Sequence, residues 1–362
     1  MMKKVAVIGI QGLPARYGGF ETLVENIIGD NCSPDVEYSV FCSKKDCPDR
    51  LPIYKDAKLK YISCFHANGI QSTSYDILSM LCVIRGYDVV VVLGVSGCMF
   101  LPLFRLLFRK KLIVNIDGLE HRREKWGKFT RWFLRRSEAM AVRCADIIIA
   151  DNKGIQDYVF ETYHKKVELI AYGGDHVVQE ISEERQGAIL KQYHLISGEY
   201  AISVCRIEPE NNCHVVLEAF IKTDKHLVFI GNWERSVYGR KLKNKYKDYK
   251  NITLLGPIYD LGILYSLRAN AGQYIHGHSA GGTNPSLVEA MFFGVPILAF
   301  DVVYNRETTQ NKALYFKDAM ELVAIFKERQ EVMTANAKMM KEIAEKEYTW
   351  KQIAQQYEAC YR

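Results

Sequence analysis

Tyr274 to Asp301 reads YIHGHSAGGTNPSLVEAMFFGVPILAFD. A short apolar run opens it, and a loop of small and polar residues follows, His278-Ser-Ala-Gly-Gly-Thr-Asn-Pro-Ser286. A helical pattern, Leu287-Val-Glu-Ala-Met-Phe-Phe293, stops at Gly294 before a second apolar run from Val295 to Phe300. Strand, loop, helix, glycine stop and strand make one βαβ unit with a glycine-rich corner at the helix start. Gly281 and Gly282 let backbone N–H groups come close to a ligand. Either Asn284 or Ser286 caps the helix, according to where Pro285 falls. A helix start carries partial positive charge, so an anion is favoured there. Glu289 sits about one turn inside, within reach of a sugar hydroxyl. The corner reads either as a cradle for the phosphate and sugar of a nucleotide or as an ordinary βα turn.

Strand and helix patterns alternate on both sides of this unit. Before it, apolar runs at Ala201–Val204, His226–Ile230, Asn251–Leu255 and Ala271–His276 are separated by helical patterns near His214–Ile221, Arg240–Tyr249 and Asp260–Arg268. An earlier series starts at Lys4–Ile10 and continues at Tyr38–Cys42, Lys58–Ile62, Val89–Leu93, Lys111–Ile116 and Asp146–Ala150, with helices around Glu21–Ile28, Ser74–Arg85 and Lys128–Cys144. Such alternation predicts an α/β fold of two parallel, doubly wound sheets, with ligands bound beyond the carboxyl ends of the strands. The expected division is residues 1–172, 173–345, and a tail at 346–362. In that tail Trp350, Ile353 and Tyr357 share one face of an amphipathic helix, able to pack back on the first domain.

Composition agrees with a globular chain of 362 residues, 48% hydrophobic and 25% charged, long enough for two domains. No apolar run approaches the ~20 residues that span a bilayer. The opening Met-Met-Lys-Lys-Val-Ala-Val-Ile has too short an apolar part for a signal peptide and reads as a first strand. Ten scattered cysteines with no C-x-x-C pair argue for reduced thiols in a cytoplasmic protein. The charge is uneven. Arg105 to Arg143 holds twelve Lys or Arg against four Asp or Glu, a net of +8, which leaves 6 − 8 = −2 for the rest. A local field of that sign suits an anionic partner such as a membrane surface.

Two further corners carry chemistry. Gly18-Gly19 before the first helix offers either backbone N–H groups to a diphosphate or sugar, or a plain tight turn; the spacing of its glycines does not match G-x-G-x-x-G, so a nicotinamide site is poorly supported. Cys205-Arg-Ile-Glu-Pro-Glu-Asn-Asn212 follows a strand end. Arg206 there is either a forked donor for a diphosphate or a surface ion pair, and Asn211 can add a neutral hydrogen bond.

Taken together, the arginine after the first strand of the second half and H-S-x-G-G-T-N-P-S-L-V-E-A-M resemble a GT-B glycosyltransferase of the large retaining family 4. G-I-Q-G-L-P-A-R-Y-G-G-F-E-T, D-G-L-E and R-I-E-P-E-N-N resemble its bacterial rhamnosyltransferase-like subgroup, which builds capsule, O-antigen and exopolysaccharide. The likeness spans nearly the whole chain. It implies two Rossmann-like domains facing a central cleft, an acceptor-binding first half, a nucleotide-sugar-binding second half, and a C-terminal helix returning to the first. It places the donor against Gly18, Gly19, Arg206, Asn211, Gly281, Gly282, Thr283, Asn284, Pro285, Ser286 and Glu289, with Asp117, Arg206 and Glu289 carrying the chemistry. The resemblance also marks departures: Asp117 stands where a histidine is usual, Asn211 where a lysine is usual, and Gly281 where the earlier of two glutamates is usual. Each removes a donor, a charge or a hydroxyl contact, which suggests a 6-deoxy sugar such as L-rhamnose on a dTDP or UDP carrier.

No D-x-D occurs, and no metal cofactor is expected. Acceptor and membrane contacts are expected from Glu120, Arg122, Arg123, Trp126, Arg131, Trp132, Arg135 and Arg136, where aromatic and basic residues alternate. That segment is either an interfacial patch beside a polyprenyl-diphosphate-linked saccharide at the inner face of the membrane, or a solvated helix face with its aromatics in the core. Nucleic-acid binding lacks a recognition motif. Transfer of another hexose from its nucleotide, a GT-B epimerase or phosphorylase, and a non-catalytic scaffold in a polysaccharide assembly complex are the competing readings.

Overall fold

The computed structural model describes residues 2–15, 18–29, 32–63, 71–122 and 126–362. By internal contacts the chain divides into Met1–Tyr172 with Trp350–Arg362, and Gly173–Thr349.

The first unit is built on eight strands: β1 Lys3–Ile8, β2 Val36–Ser43, β3 Ile53–Tyr54, β4 Ala57–Ile62, β5 Val89–Leu93, β6 Lys111–Asn115, β7 Ile147–Ala150 and β8 Glu168–Leu169. Their order is β3-β4-β2-β1-β5-β6-β7-β8. All pairs are parallel except β3 with β4. Helices α1 Gly19–Ile27, α2 Gln71–Cys82, α3 Leu101–Leu107, α4 Lys128–Cys144 and α5 Lys153–Tyr163 connect them. Val89 to Leu93 is buried at every position, as a central parallel strand covered on both faces must be. The order reverses between β1 and β5, the switch point at which such sheets bind ligands.

The second unit carries six parallel strands: β9 Tyr200–Val204, β10 His226–Ile230, β11 Ile252–Leu255, β12 Gln273–His276, β13 Ile297–Phe300 and β14 Leu314–Phe316. Their order is β11-β10-β9-β12-β13-β14, so its switch point lies between β9 and β12. Helices α6 Glu183–Gln192, α7 Cys213–Phe220, α8 Val237–Tyr246, α9 Leu261–Ala269, α10 Pro285–Met291, α11 Val303–Thr308, α12 Ala319–Ile325 and α13 Gln330–Glu347 complete the unit.

The last helix, α14 Trp350–Tyr361, belongs to the first unit. Trp350, Ile353, Tyr357 and Tyr361 are each at most 2% exposed and join the core made by β1, β2, β5 and α1. Burial of each such side chain contributes about 1.5–3 kcal/mol. Polar ties fix the register: Tyr38 Oη and Tyr361 Oη are 3.1 Å apart, and Glu358 Oε1 accepts from Ser33 N. A third tie runs through Asn115. Asn115 Nδ2 donates to Tyr357 Oη at 2.7 Å, while Asn115 Oδ1 accepts from Asp117 N at 3.0 Å.

Candidate active site

In the second unit the two segments singled out in the sequence become neighbours. The loop after β9 carries Arg206, and the corner after β12 carries the glycines; β9 and β12 are adjacent strands at the switch point. Four hydrogen bonds join the segments. Ser279 donates from N and from Oγ to Glu210 O at 2.8 and 3.0 Å. Asn212 Nδ2 donates to Gly277 O at 2.9 Å, and His278 Nδ1 lies 2.7 Å from Asn211 Oδ1. Gly277 permits the approach: a Cβ there would meet Asn211 O at 2.2 Å. Asn305 clamps the corner from α11, donating through Nδ2 to His278 O and Phe300 O, both at 2.8 Å.

This bracing engages Asn211. Its side chain is 3% exposed and donates to Arg206 O at 2.7 Å while facing His278. It shapes the Arg206 loop. Arg206 itself is exposed and forms no salt bridge among the described residues. Its full charge is therefore open to a ligand.

The corner settles the cap. Asn284 is the N-cap, its Oδ1 accepting from Ser286 N at 3.0 Å, and Pro285 takes the first helical position. Gly281 has φ +83°, a backbone state that costs glycine nothing. A glutamate at that position would be strained, whatever contacts its carboxylate made. Thr283 is buried, and Gly282 and Ser286 are half-buried. The helix ends at Met291, two residues short of the pattern, with Phe292 and Phe293 in a turn. Buried His276 is held neutral: burial and nearby His278 push its pKa well below the usual imidazole value. Among the described residues no group of three His, Cys, Asp or Glu is placed to hold a metal ion.

Glu289 has partners that the sequence did not announce. Arg268 Nη2 lies 2.7 Å from Glu289 Oε2, and His176 Nε2 lies 3.7 Å from Oε1. The Arg268 side chain is 3% exposed and that of Glu289 15%. Arg268 ends a helical pattern, so in sequence it reads as an ordinary C-terminal charge.

In the first unit Asp117 lies two residues past the end of β6 with φ +55°, its N–H held by Asn115. Gly19 opens α1, and Gly18 has φ +129°. The Glu21 carboxylate lies at this corner. Glu21 Oε1 accepts from Gln11 N at 2.8 Å, and a Cβ on Gly18 would lie 2.0 Å from Glu21 Oε2. Burial is the main cause that raises the Glu21 pKa, backbone N–H groups oppose it, and Asp117 adds repulsion. A carboxyl at this corner disfavours a phosphate and suits a hydroxyl.

The basic segment divides. Arg122 stacks on Tyr158, 4.7 Å from the ring centre, and Trp126 Nε1 donates to Glu120 Oε2 at 3.4 Å. Beneath them buried Glu138 accepts from Tyr158 and Tyr163 Oη at 2.9 and 2.8 Å and pairs with His121 Nδ1 at 3.0 Å. Arg131 is half-buried, with its Nε inaccessible, whereas Arg135 and Arg136 are exposed. Arg123 lies outside the described residues. Phe129 and Trp132 are 77% and 53% exposed, so these aromatics are not core. The α3 helix packs beside α4 and adds Leu103, Leu106 and Leu107, all more than half exposed.

Residues 191–349 match the family "Glycosyl transferases group 1". The second unit is a group 1 glycosyltransferase domain. Residues 2–175 match a "Domain of unknown function (DUF1972)". No curated protein matches the chain in sequence. Among solved structures, sucrose-phosphate synthase from Thermosynechococcus elongatus aligns with a TM-score of 0.83 at 15% identity, covering 99% of this chain and 98% of that one. Anabaena HepE, solved with UDP, gives 0.78 at 14% identity and 99% of both chains. The catalytic domain of Arabidopsis thaliana starch synthase IV, bound to ADP and acarbose, gives 0.71 at 14%, over 99% and 98%. At this identity the likeness shows the fold, which is GT-B: two Rossmann-like domains with parallel sheets. In this glycosyltransferase domain the Arg206 loop and the 277–286 corner form one hydrogen-bonded assembly at the switch point of the sheet.

Proposed function

We propose that the chain is a retaining glycosyltransferase that moves a sugar, L-rhamnose on a dTDP carrier by preference, to a lipid-linked saccharide in surface polysaccharide synthesis. The observation that carries the transfer is the joined Arg206 loop and 277–286 corner within a group 1 glycosyltransferase domain. Arg206 neutralises charge that grows on the departing nucleotide diphosphate, and the backbone N–H groups of Gly282 and Asn284 share it. Glu289 accepts from a ribose hydroxyl. Anabaena HepE, solved with UDP-glucose, supports a nucleotide-sugar donor on this fold. Gly281, which lacks a carboxylate, and Asp117 in the other unit support a donor poorer in hydroxyls than glucose. The departing diphosphate accepts the acceptor's proton as the new glycosidic bond forms, so the step needs no residue that is absent. The test is nucleotide release by the purified enzyme across a donor panel. Release from dTDP-L-rhamnose is expected; release from UDP-glucose alone removes rhamnose and keeps the transfer.

The acceptor side of the proposal rests on the α3–α4 surface. Leu103, Leu106, Leu107, Phe129 and Trp132 are exposed together beside Arg135 and Arg136, as on an interfacial surface that meets anionic lipid. No helix among the described residues is long and apolar enough to cross a membrane. Peripheral attachment at the inner face is the reading this supports, beside a polyprenyl-diphosphate-linked acceptor. Vesicles with anionic lipid are expected to sediment the wild type at low salt. Changing Phe129 and Trp132 to serine should weaken this by roughly 10-fold or more, and equal sedimentation of both proteins would refute the patch.

A further inference from the structure

We propose that Arg268 is a positioning residue that fixes Glu289 for a pentose hydroxyl of the nucleotide. The inference rests on the reading of Glu289 as a ribose contact. Arg268 lies in the last turn of α9 with its side chain 3% exposed. Nη2 meets Glu289 Oε2 at 2.7 Å, and the guanidinium sits 5.8 Å from the Phe293 ring centre. Its Nε and Nη1 are buried and have no hydrogen-bond partner among the described residues. Burying a cation and a carboxylate in this half-satisfied way adds little stability over a well-packed apolar pair. What the pair supplies is geometry. A glutamate on a helix samples several rotamers, and a buried guanidinium paired through Nη2 with Oε2 selects one.

Among the described residues the ion-pair partner of the remaining oxygen, Oε1, is His176 at 3.7 Å, and the Glu289 side chain keeps 15% exposure. A carboxylate held at one end and accessible at the other repels phosphate and accepts from a hydroxyl. Arg268 thereby acts through Glu289 on the sugar of the nucleotide, with no ligand contact of its own.

The experiment measures dissociation constants for dTDP and UDP, each against its 3′-deoxy counterpart, by isothermal titration. The proteins are the wild type, Arg268→Lys and Arg268→Met. Lysine keeps a buried cation but loses the planar, rigid guanidinium that carries Nη2 to Oε2, so it supports the fold even if the methionine variant does not. The wild type is expected to prefer the 3′-hydroxyl nucleotides by roughly 10- to 100-fold, the size of a hydrogen bond to a charged group. Arg268→Lys should lose about tenfold for these and less than about twofold for the 3′-deoxy pair. Equal weakening of both would make Arg268 a packing residue, and no weakening would make Glu289 independent of it; either overturns the inference. A wild type indifferent to the 3′-hydroxyl would instead remove the ribose role of Glu289, and the inference with it.

Discussion

Arg206→Ala is expected to lower kcat by about 10²- to 10³-fold while nucleotide affinity falls by less than about tenfold. The difference follows from where charge moves. In the bound donor each phosphate already shares its charge with solvent and backbone N–H groups. In the transition state the bond from sugar to diphosphate stretches and negative charge concentrates on the leaving oxygen. A fixed guanidinium gains most from that change, because it need not reorganise as the charge appears. Arg206 meets the condition of being fixed at its base and unspent at its tip. Asn211 holds its carbonyl, the loop is tied to the 277–279 segment, and the side chain is exposed. Rates under saturating donor and nucleotide Kd values on the same preparation check the prediction. Equal losses in both would mean that Arg206 binds ground state and transition state alike.

Tyr357→Ala is expected to destabilise the first unit by about 3–5 kcal/mol, the usual cost of emptying a large buried ring site. Tyr357 is 0% exposed in a core built from strands more than 200 residues earlier in the chain. Tyr357→Phe keeps the ring and strands Asn115 Nδ2, costing about 1–3 kcal/mol. Asn115 also anchors Asp117, which sits at φ +55°. The phenylalanine variant should therefore lose activity at temperatures where it remains folded. Thermal and denaturant unfolding measure the first effect, and turnover below the transition measures the second. Full activity in folded Tyr357→Phe would separate Asp117 from this tie.

Much of this architecture was legible because period and punctuation agreed. The 89–93, 226–230 and 128–144 elements fall on their expected residues, since their apolar runs end at clear turn or charge signals. Other elements lacked such a signal. Pro102 stands in the first turn of α3, where a missing N–H costs nothing. β3 and β14 are two and three residues long, too short to show a period. The Arg206 loop and the glycine corner were each visible in sequence. Their hydrogen-bonded union was not, because it depends on β9 lying next to β12. The same is true of Arg268 beside Glu289, a contact set by how α9 and α10 pack. Nor does the sequence show that the Asn211 amide meets the Arg206 carbonyl and His278.

Transfer itself is most directly tested with labelled nucleotide sugar, membrane-extracted lipid-linked saccharide and the purified chain, following label into lipid and nucleotide into solution. The wild type should pass label to the lipid with one nucleotide diphosphate released per sugar, in a product that keeps the donor's anomeric configuration, and Arg206→Ala should do so far more slowly. Folded wild-type protein that binds a nucleotide sugar yet moves no label and releases no nucleotide, for dTDP-, UDP-, ADP- and GDP-linked donors alike, would contradict the account.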